Sequence, residues 1–228
     1  MALSIDYIFP IGTDVVANQG RLLEPHMCSR ILQIPAVVTP SEARLVYRKR
    51  QSKGYYRFQY QYKTLMAWEL RVIENFYKRV KGRYEEFYLV DWSNIHKVTG
   101  SPTSTSLTLD HLDGLEASPG YIGKTLLVHN GKITGALNKQ ILTIADAEVF
   151  GDNTIDVNET VDATLRQNTY VYILHPVIFE SETVQPTMKD FCTDKKIVNF
   201  PGYGSKNIYG QIIDINIAFL QLGVLKDT

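Results

Sequence analysis

The run YYRFQYQY, residues 55–62, places Tyr56, Phe58, Tyr60 and Tyr62 on one side of an extended chain and Arg57, Gln59 and Gln61 on the other. Successive side chains of a strand point to opposite faces, so a period of two sustained over this length specifies a half-buried strand rather than a helix. Fourteen tyrosines and nine phenylalanines, spread over many short alternating runs, extend the same preference to the whole chain. The fold class expected is mainly β.

One segment departs from this texture. In KTLMAWELRVIENFYKRVKG, Leu65, Trp68, Val72, Phe76 and Val80 recur every three or four residues, with Ile73 and Tyr77 widening the stripe. This predicts an amphipathic helix over residues 64–81, about five turns long, with Thr64 as N-cap and Gly82 as the left-handed residue that ends it. GRYEEFYLVDW follows and reads as a strand. Tyr84, Glu86, Tyr88, Val90 and Trp92 take one face, and Glu85, Phe87, Leu89 and Asp91 the other. Phe87 and Leu89 are expected to pack, with Asp91 capping the strand end or anchoring the turn beyond it.

From about Asn94 short strand candidates alternate with turn signals: SLTLD, SPGYIG, KTLLVHNGK, ILTIAD, GDNTIDV and TYVYILHP. Asn130-Gly131 is a hairpin signal, because a type I′ turn needs positive φ at both central residues. This spacing predicts a small antiparallel barrel or sandwich. Long alternating strands return in PVIFESETV and YGQIIDINIAFLQLG, which resemble the first part more than the middle. The organisation expected is a β-sandwich of residues 1–95 and 175–228 carrying the helix, with residues 96–174 inserted as a second small β domain.

The chemistry is read mostly by exclusion. Glu85 and Glu86 project to opposite faces of a strand, and Glu85 and Asp91 lie roughly 20 Å apart along it, beyond the span of a glycosidase carboxylate pair. No nucleophile elbow, Walker loop or dinucleotide fingerprint is present, and the glycines at 202, 204 and 210 read as a loop before the last strand. Asp152, Asp156 and Asp162 do not have the spacing of an EF-hand. Cys28 and Cys192 read as buried thiols, and His26 with Cys28 supplies too few ligands for zinc. No cofactor or metal site is expected. The 24 basic and 24 acidic residues cancel, removing the bulk electrostatic case for nucleic acid. Arg44, Arg48, Lys49, Arg50 and Lys53 read as a solvated face or an interface rim. No signal peptide or membrane span is visible, and the chain is expected to be made in the cytoplasm.

The order of the motifs resembles a family of tailed-bacteriophage distal tail proteins, related to the distal tail component of gene transfer agents. Phe9-Pro10 lies near the start; TPSEARLVYRKR, with Arg44, supplies a polar strand; YYRFQYQY follows. A helix then ends in Asn75-Phe76-Tyr77-Lys78-Arg79-Val80-Lys81-Gly82, and Phe87-Tyr88-Leu89-Val90-Asp91-Trp92 closes the pattern, which covers about residues 7–94. The segment Gly123 to Gly131 is similar to hairpins of small β domains in phage tail proteins. The resemblance implies a structural, non-enzymatic virion protein at the distal end of the tail. It implies a ring of six copies, with the tail tube protein on one side and hub, tip or receptor-binding proteins on the other. Exposed tyrosines would serve the ring contacts. The alternative is a cell-wall carbohydrate-binding module, in which Tyr121, Tyr170 or Tyr172 stacks on host sugars.

Overall fold

The computed structural model describes residues 7–9, 25–33, 39–41, 44–46, 55–99, 103–112, 115, 124–129, 139–147, 153–165, 169–200 and 204–221. Along the chain these form β1 (Ile8–Phe9), β2 (Met27–Gln33), β3 (Thr39–Ser41), β4 (Arg44–Val46) and β5 (Tyr55–Leu65). Helix α1 (Ala67–Arg79) and a 3-10 turn (Gly82–Tyr84) lead to β6 (Phe87–Lys97). Then come β7 (Ser106–Thr108), β8 (Thr125–His129), β9 (Lys139–Ala147), β10 (Thr154–Val157), β11 (Tyr170–Phe179), β12 (Thr187–Phe200) and β13 (Gly204–Gln221). The protein is mainly β, as its alternating runs predict.

Eleven of these strands join one sheet with the path β2-β5-β13-β11-β8-β9-β10-β7; β12 also pairs with β13, and β6 pairs with both β1 and β11. Strand β11 is the spine. One of its edges pairs with β6 along most of its length, while the other pairs with β8 at Tyr170–Ile173 and with β13 at Val177–Phe179. Pro176 falls in the gap between those two neighbours. A residue without an N–H is tolerated there because no ladder bond is demanded of it.

In β5 the predicted alternation holds: Phe58, Tyr60 and Tyr62 are buried, and the Tyr60 hydroxyl donates to the Val90 carbonyl across the core at 2.5 Å. The sheet therefore curls, bringing β5 opposite β6. Two hydrophobic clusters fill it. The first joins Phe9, Phe58, Tyr60, Tyr62, Phe76, Phe87, Phe179 and Phe219 with residues of α1 and β13. The second is aliphatic and lies wholly between Val98 and Ile173. Strands β8 and β11 serve both, because alternation sends Leu126, Val128, Val171 and Ile173 to the aliphatic side and Leu127, Tyr172 and Leu174 to the aromatic side.

Several expectations need correction. The helix is 13 residues long, not the expected 64–81. Thr64 is no N-cap: it stands at φ 59° in a bulge where β5 has an extra residue opposite Ile213 and Ile215, its N–H donating to Asp214 Oδ1 at 3.0 Å. The strand thus runs on through Leu65, and the first turn of the helix is held by Glu69, whose Oε2 accepts the Met66 N–H at 2.8 Å. At the other end Lys81 takes the left-handed position (φ 50°) one residue before Gly82, which is left-handed too (φ 66°). A Cβ on Gly82 would meet the Tyr77 hydroxyl at 2.7 Å, so this position needs glycine on both counts.

Glu85 and Glu86 precede the strand, which starts at Phe87. TPSEARLVYRKR gives two short paired strands, β3 and β4, outside the main sheet. TYVYILHP and the start of PVIFESETV form the single strand β11, and β12 arises in PTMKDFCTDKKIVNF, where no strand is expected. Gly204 and Gly210 belong to β13, paired with Phe200 and Cys192, rather than to a loop. The hairpin of β8 and β9 forms with His129 opposite Lys139; its tip, with Asn130-Gly131, lies outside the described residues, as do SPGYIG, Asp152 and residues 47–54.

Candidate functional site

Asp91 is not at a strand end. It lies within β6, 1% exposed, at the start of a bulge: Val90 pairs with Leu174 and Ile95 with Tyr172, so Asp91–Asn94 stand opposite the single residue Ile173 of β11. The carboxylate organises this bulge. Its Oδ1 accepts the Ser93 N–H at 2.9 Å and the Ser93 hydroxyl at 2.5 Å. Its Oδ2 faces His175 Nε2 at 3.1 Å and accepts from Arg30 at 3.2 Å. Arg30 reaches inward from β2 over the ring of Tyr56, 5.0 Å from its centroid. His175 comes from β11 and lies against Phe58, ring centroids 5.0 Å apart.

Burial alone would raise the Asp91 pKa, but the hydrogen bond and charge of His175 and the two bonds from Ser93 outweigh it, so the carboxyl is held below its ordinary value. Asp91 is thus an ionised anchor joining β2, β6 and β11. The order of the groups excludes a serine triad. Ser93 binds the carboxylate and not the imidazole, so no general base activates its hydroxyl.

The surface offers a different kind of site. Strand β2 pairs on one side with β5 and has no second strand neighbour among the described residues, yet it exposes Met27 (59%), Ile31 (42%) and Leu32 (47%). Cys28, Arg30 and Leu32 share the face of Tyr60, Phe58 and Tyr56, while Met27 and Ile31 lie on the reverse. An edge with open backbone groups and apolar side chains on both faces is a template for another chain. The long hairpin β12–β13 supplies a second open element. Among the described residues β12 pairs with β13 alone, and the Gly204–Ile212 part of β13 has only β12 beside it.

Of the residues singled out in the family-like pattern, Phe9, Phe76 and Phe87 meet in the aromatic cluster, with Phe9 centred 5.2 Å from Phe76 and 6.2 Å from Phe87. Asp91 and Trp92 are both buried in β6, Gly82 turns the chain after α1, and Arg44 stands in β4 opposite Ser41. Pro10 lies outside the described residues. Of the proposed glycan contacts, Tyr172 is excluded as a stacking platform. It is 2% exposed and enclosed by Trp92 at 5.2 Å and His129 at 5.3 Å. Tyr170 is half-buried, and Tyr121 lies outside the described residues. Among the tyrosines whose side chains are described, Tyr7 and Tyr84 are exposed and Tyr60, Tyr62 and Tyr172 are buried. Cys28 is half-buried, not buried.

Sequence reasoning missed Arg30 and His175, which stand 61 and 84 residues from Asp91. No local signal marks them, since register alone brings them together. No helix among the described residues is long and apolar enough to cross a membrane. No protein-family model matches the chain, and no curated protein is significantly similar to it.

Proposed function

We propose that the chain is a structural subunit of a phage tail, assembling head-to-tail with copies of itself into a ring that joins the tail tube to the tip or baseplate. The observation that carries this reading is the β2 edge, where Met27, Ile31 and Leu32 face solvent on a strand with no second strand neighbour among the described residues. A head-to-tail contact needs two different surfaces on each subunit, and the β12–β13 hairpin is a second surface of suitable kind. Six copies follow from the family resemblance, as do the tube and the hub or receptor-binding proteins as partners.

In this reading the aromatic cluster belongs to a β-sandwich covered by α1 and built from residues 1–95 and 175–228. The aliphatic cluster belongs to a barrel-like unit, residues 96–174, inserted at the periphery. The confinement of that cluster to Val98–Ile173 supports the division. The role asked of the protein is rigidity and self-association, without catalysis.

Leu32→Lys together with Ile31→Lys tests it. Charges on an edge strand block edge-to-edge pairing, so rings seen by negative stain for the unaltered chain should vanish while circular dichroism and melting stay unchanged. Rings that persist in the double variant would remove β2 from the interface.

A further inference from the structure

The five histidines are scattered along the sequence, yet the fold brings two of them beside a carboxylate. His96, near the end of β6, and Asp110 and His111, just after β7, each offer a ligand atom within 4.8 Å of the others. The backbone holds this arrangement. The Asp110 N–H donates to the Lys97 carbonyl at 2.9 Å, and Val98 bridges to Leu109, so the segment after β7 is fastened to the end of β6. Asp110 Oδ1 in turn accepts the N–H groups of Lys97 (2.9 Å) and His111 (3.1 Å), and Asn153 Nδ2 donates to the Asp110 carbonyl at 3.4 Å.

The hydrogen bond of His96 fixes its tautomer. Its Nδ1 lies 3.1 Å from the His111 carbonyl, an acceptor only, so Nδ1 carries the proton and Nε2 keeps its lone pair. His96 is fully buried, and its ring sits 4.6 Å from that of His111. His111 Nε2 is 3.7 Å from Asp110 Oδ1. Ligand atoms about 2.0–2.2 Å from a tetrahedral zinc ion stand roughly 3.3–3.6 Å from one another, so atoms that now lie within 4.8 Å must draw closer, by up to about 1.5 Å, as the ion is bound.

We propose that His96, Asp110 and His111 bind a divalent first-row transition-metal ion, zinc by preference, which staples the end of β6 to the segment after β7. Two imidazoles and one carboxylate are a borderline donor set; calcium and magnesium need more oxygen ligands than this cluster supplies. Three protein ligands leave a fourth position for water or for a side chain of another subunit. The other histidines, His26, His129 and His175, lie outside the cluster.

The test is titration of the full chain with Zn²⁺ against a chromophoric chelator, followed by Co²⁺ and its visible absorption. One ion per chain is expected, with no uptake of Ca²⁺ or Mg²⁺ at the same concentrations. His111→Ala and Asp110→Asn alter side chains that are not buried, so the fold should survive. Each should weaken Zn²⁺ binding by at least about 10- to 100-fold, the loss seen when a mere supporting partner of a metal ligand is removed. His26→Ala should change nothing. Failure of the unaltered chain to bind Zn²⁺ or Co²⁺, or equal binding in His111→Ala and Asp110→Asn, would overturn the assignment.

Discussion

In one cluster the rings of Phe9, Phe76, Phe87, Phe179 and Phe219 meet mostly edge-on or tilted, with centroids 4.7–6.4 Å apart. In the other, Leu107, Leu126, Val128, Leu142, Ile144, Ile155, Val171 and Ile173 pack without an aromatic side chain among the described residues. The first collects residues from Ile8 to Phe219, so both ends of the chain must be in place before it closes. The second closes within Val98–Ile173. Short-range pairing costs less loop entropy than joining distant segments, so the aliphatic cluster can form with less of the chain already ordered. The difference sets a cluster assembled from distant segments of the chain against one assembled from a single stretch of it.

The sharpest way to break the first cluster is Phe87→Ala. Phe87 is fully buried among Phe9, Phe76, Phe179 and Phe219, and its truncation should cost about 3–5 kcal/mol by chemical denaturation. Asp91→Ala should cost a similar amount, about 3–5 kcal/mol, because it leaves Arg30 and His175 facing a cavity without their carboxylate. The Asp91 pKa is lowered on folding, so its stabilisation is present above the ordinary value of 3.8 and is lost as pH falls through the depressed one.

Leu142→Ala tests the other side, with an expected cost of about 2–4 kcal/mol. Here hydrogen exchange discriminates more than the midpoint. Amides of β8, β9 and β10 should lose protection while those of β5 and β13 keep theirs, and simultaneous loss in both regions would show a single cooperative core.

His129 lies where the two regions meet, stacked at 9° on Tyr172. Burial, then the charge of Lys139, lowers its pKa to about 4 from the ordinary 6.5. The unfolded chain therefore takes up this proton first. Stability should fall as pH drops from about 6.5 to about 4, by up to about 3 kcal/mol, and level off below that on this group's account. His129→Gln should flatten that part of the stability profile. The smallest expected effect is Gly82→Ala, at about 1–3 kcal/mol, from a left-handed backbone and a clash with Tyr77, whose hydroxyl is tied to the Ser181 carbonyl at 3.1 Å.

What was legible in the sequence follows the same division. Alternation located β5, β7, β8, β9, β10 and most of β11, because period two is a local property. The helix stripe was also legible, but its start was not. Leu65 suits the apolar face of a strand as well as that of a helix, and the choice was made by Asp214, a distant residue that holds the Thr64 bulge. The acidic run GRYEEFYLVDW pointed to Asp91 without its partners, since Arg30 and His175 arrive through strand register alone. His96 and His111 are 15 residues apart, yet what aligns them is the pairing of Val98 with Leu109 between them, and no spacing rule encodes it.

The measurement that bears most directly on the proposed role is the native mass of the purified chain over a wide concentration range, by light scattering, alone and mixed with the tail tube protein. A closed ring predicts a discrete multiple of 25.9 kDa, six by family analogy, approached without larger open-ended species. A mass of one chain at every concentration, with and without the tube protein, would contradict it.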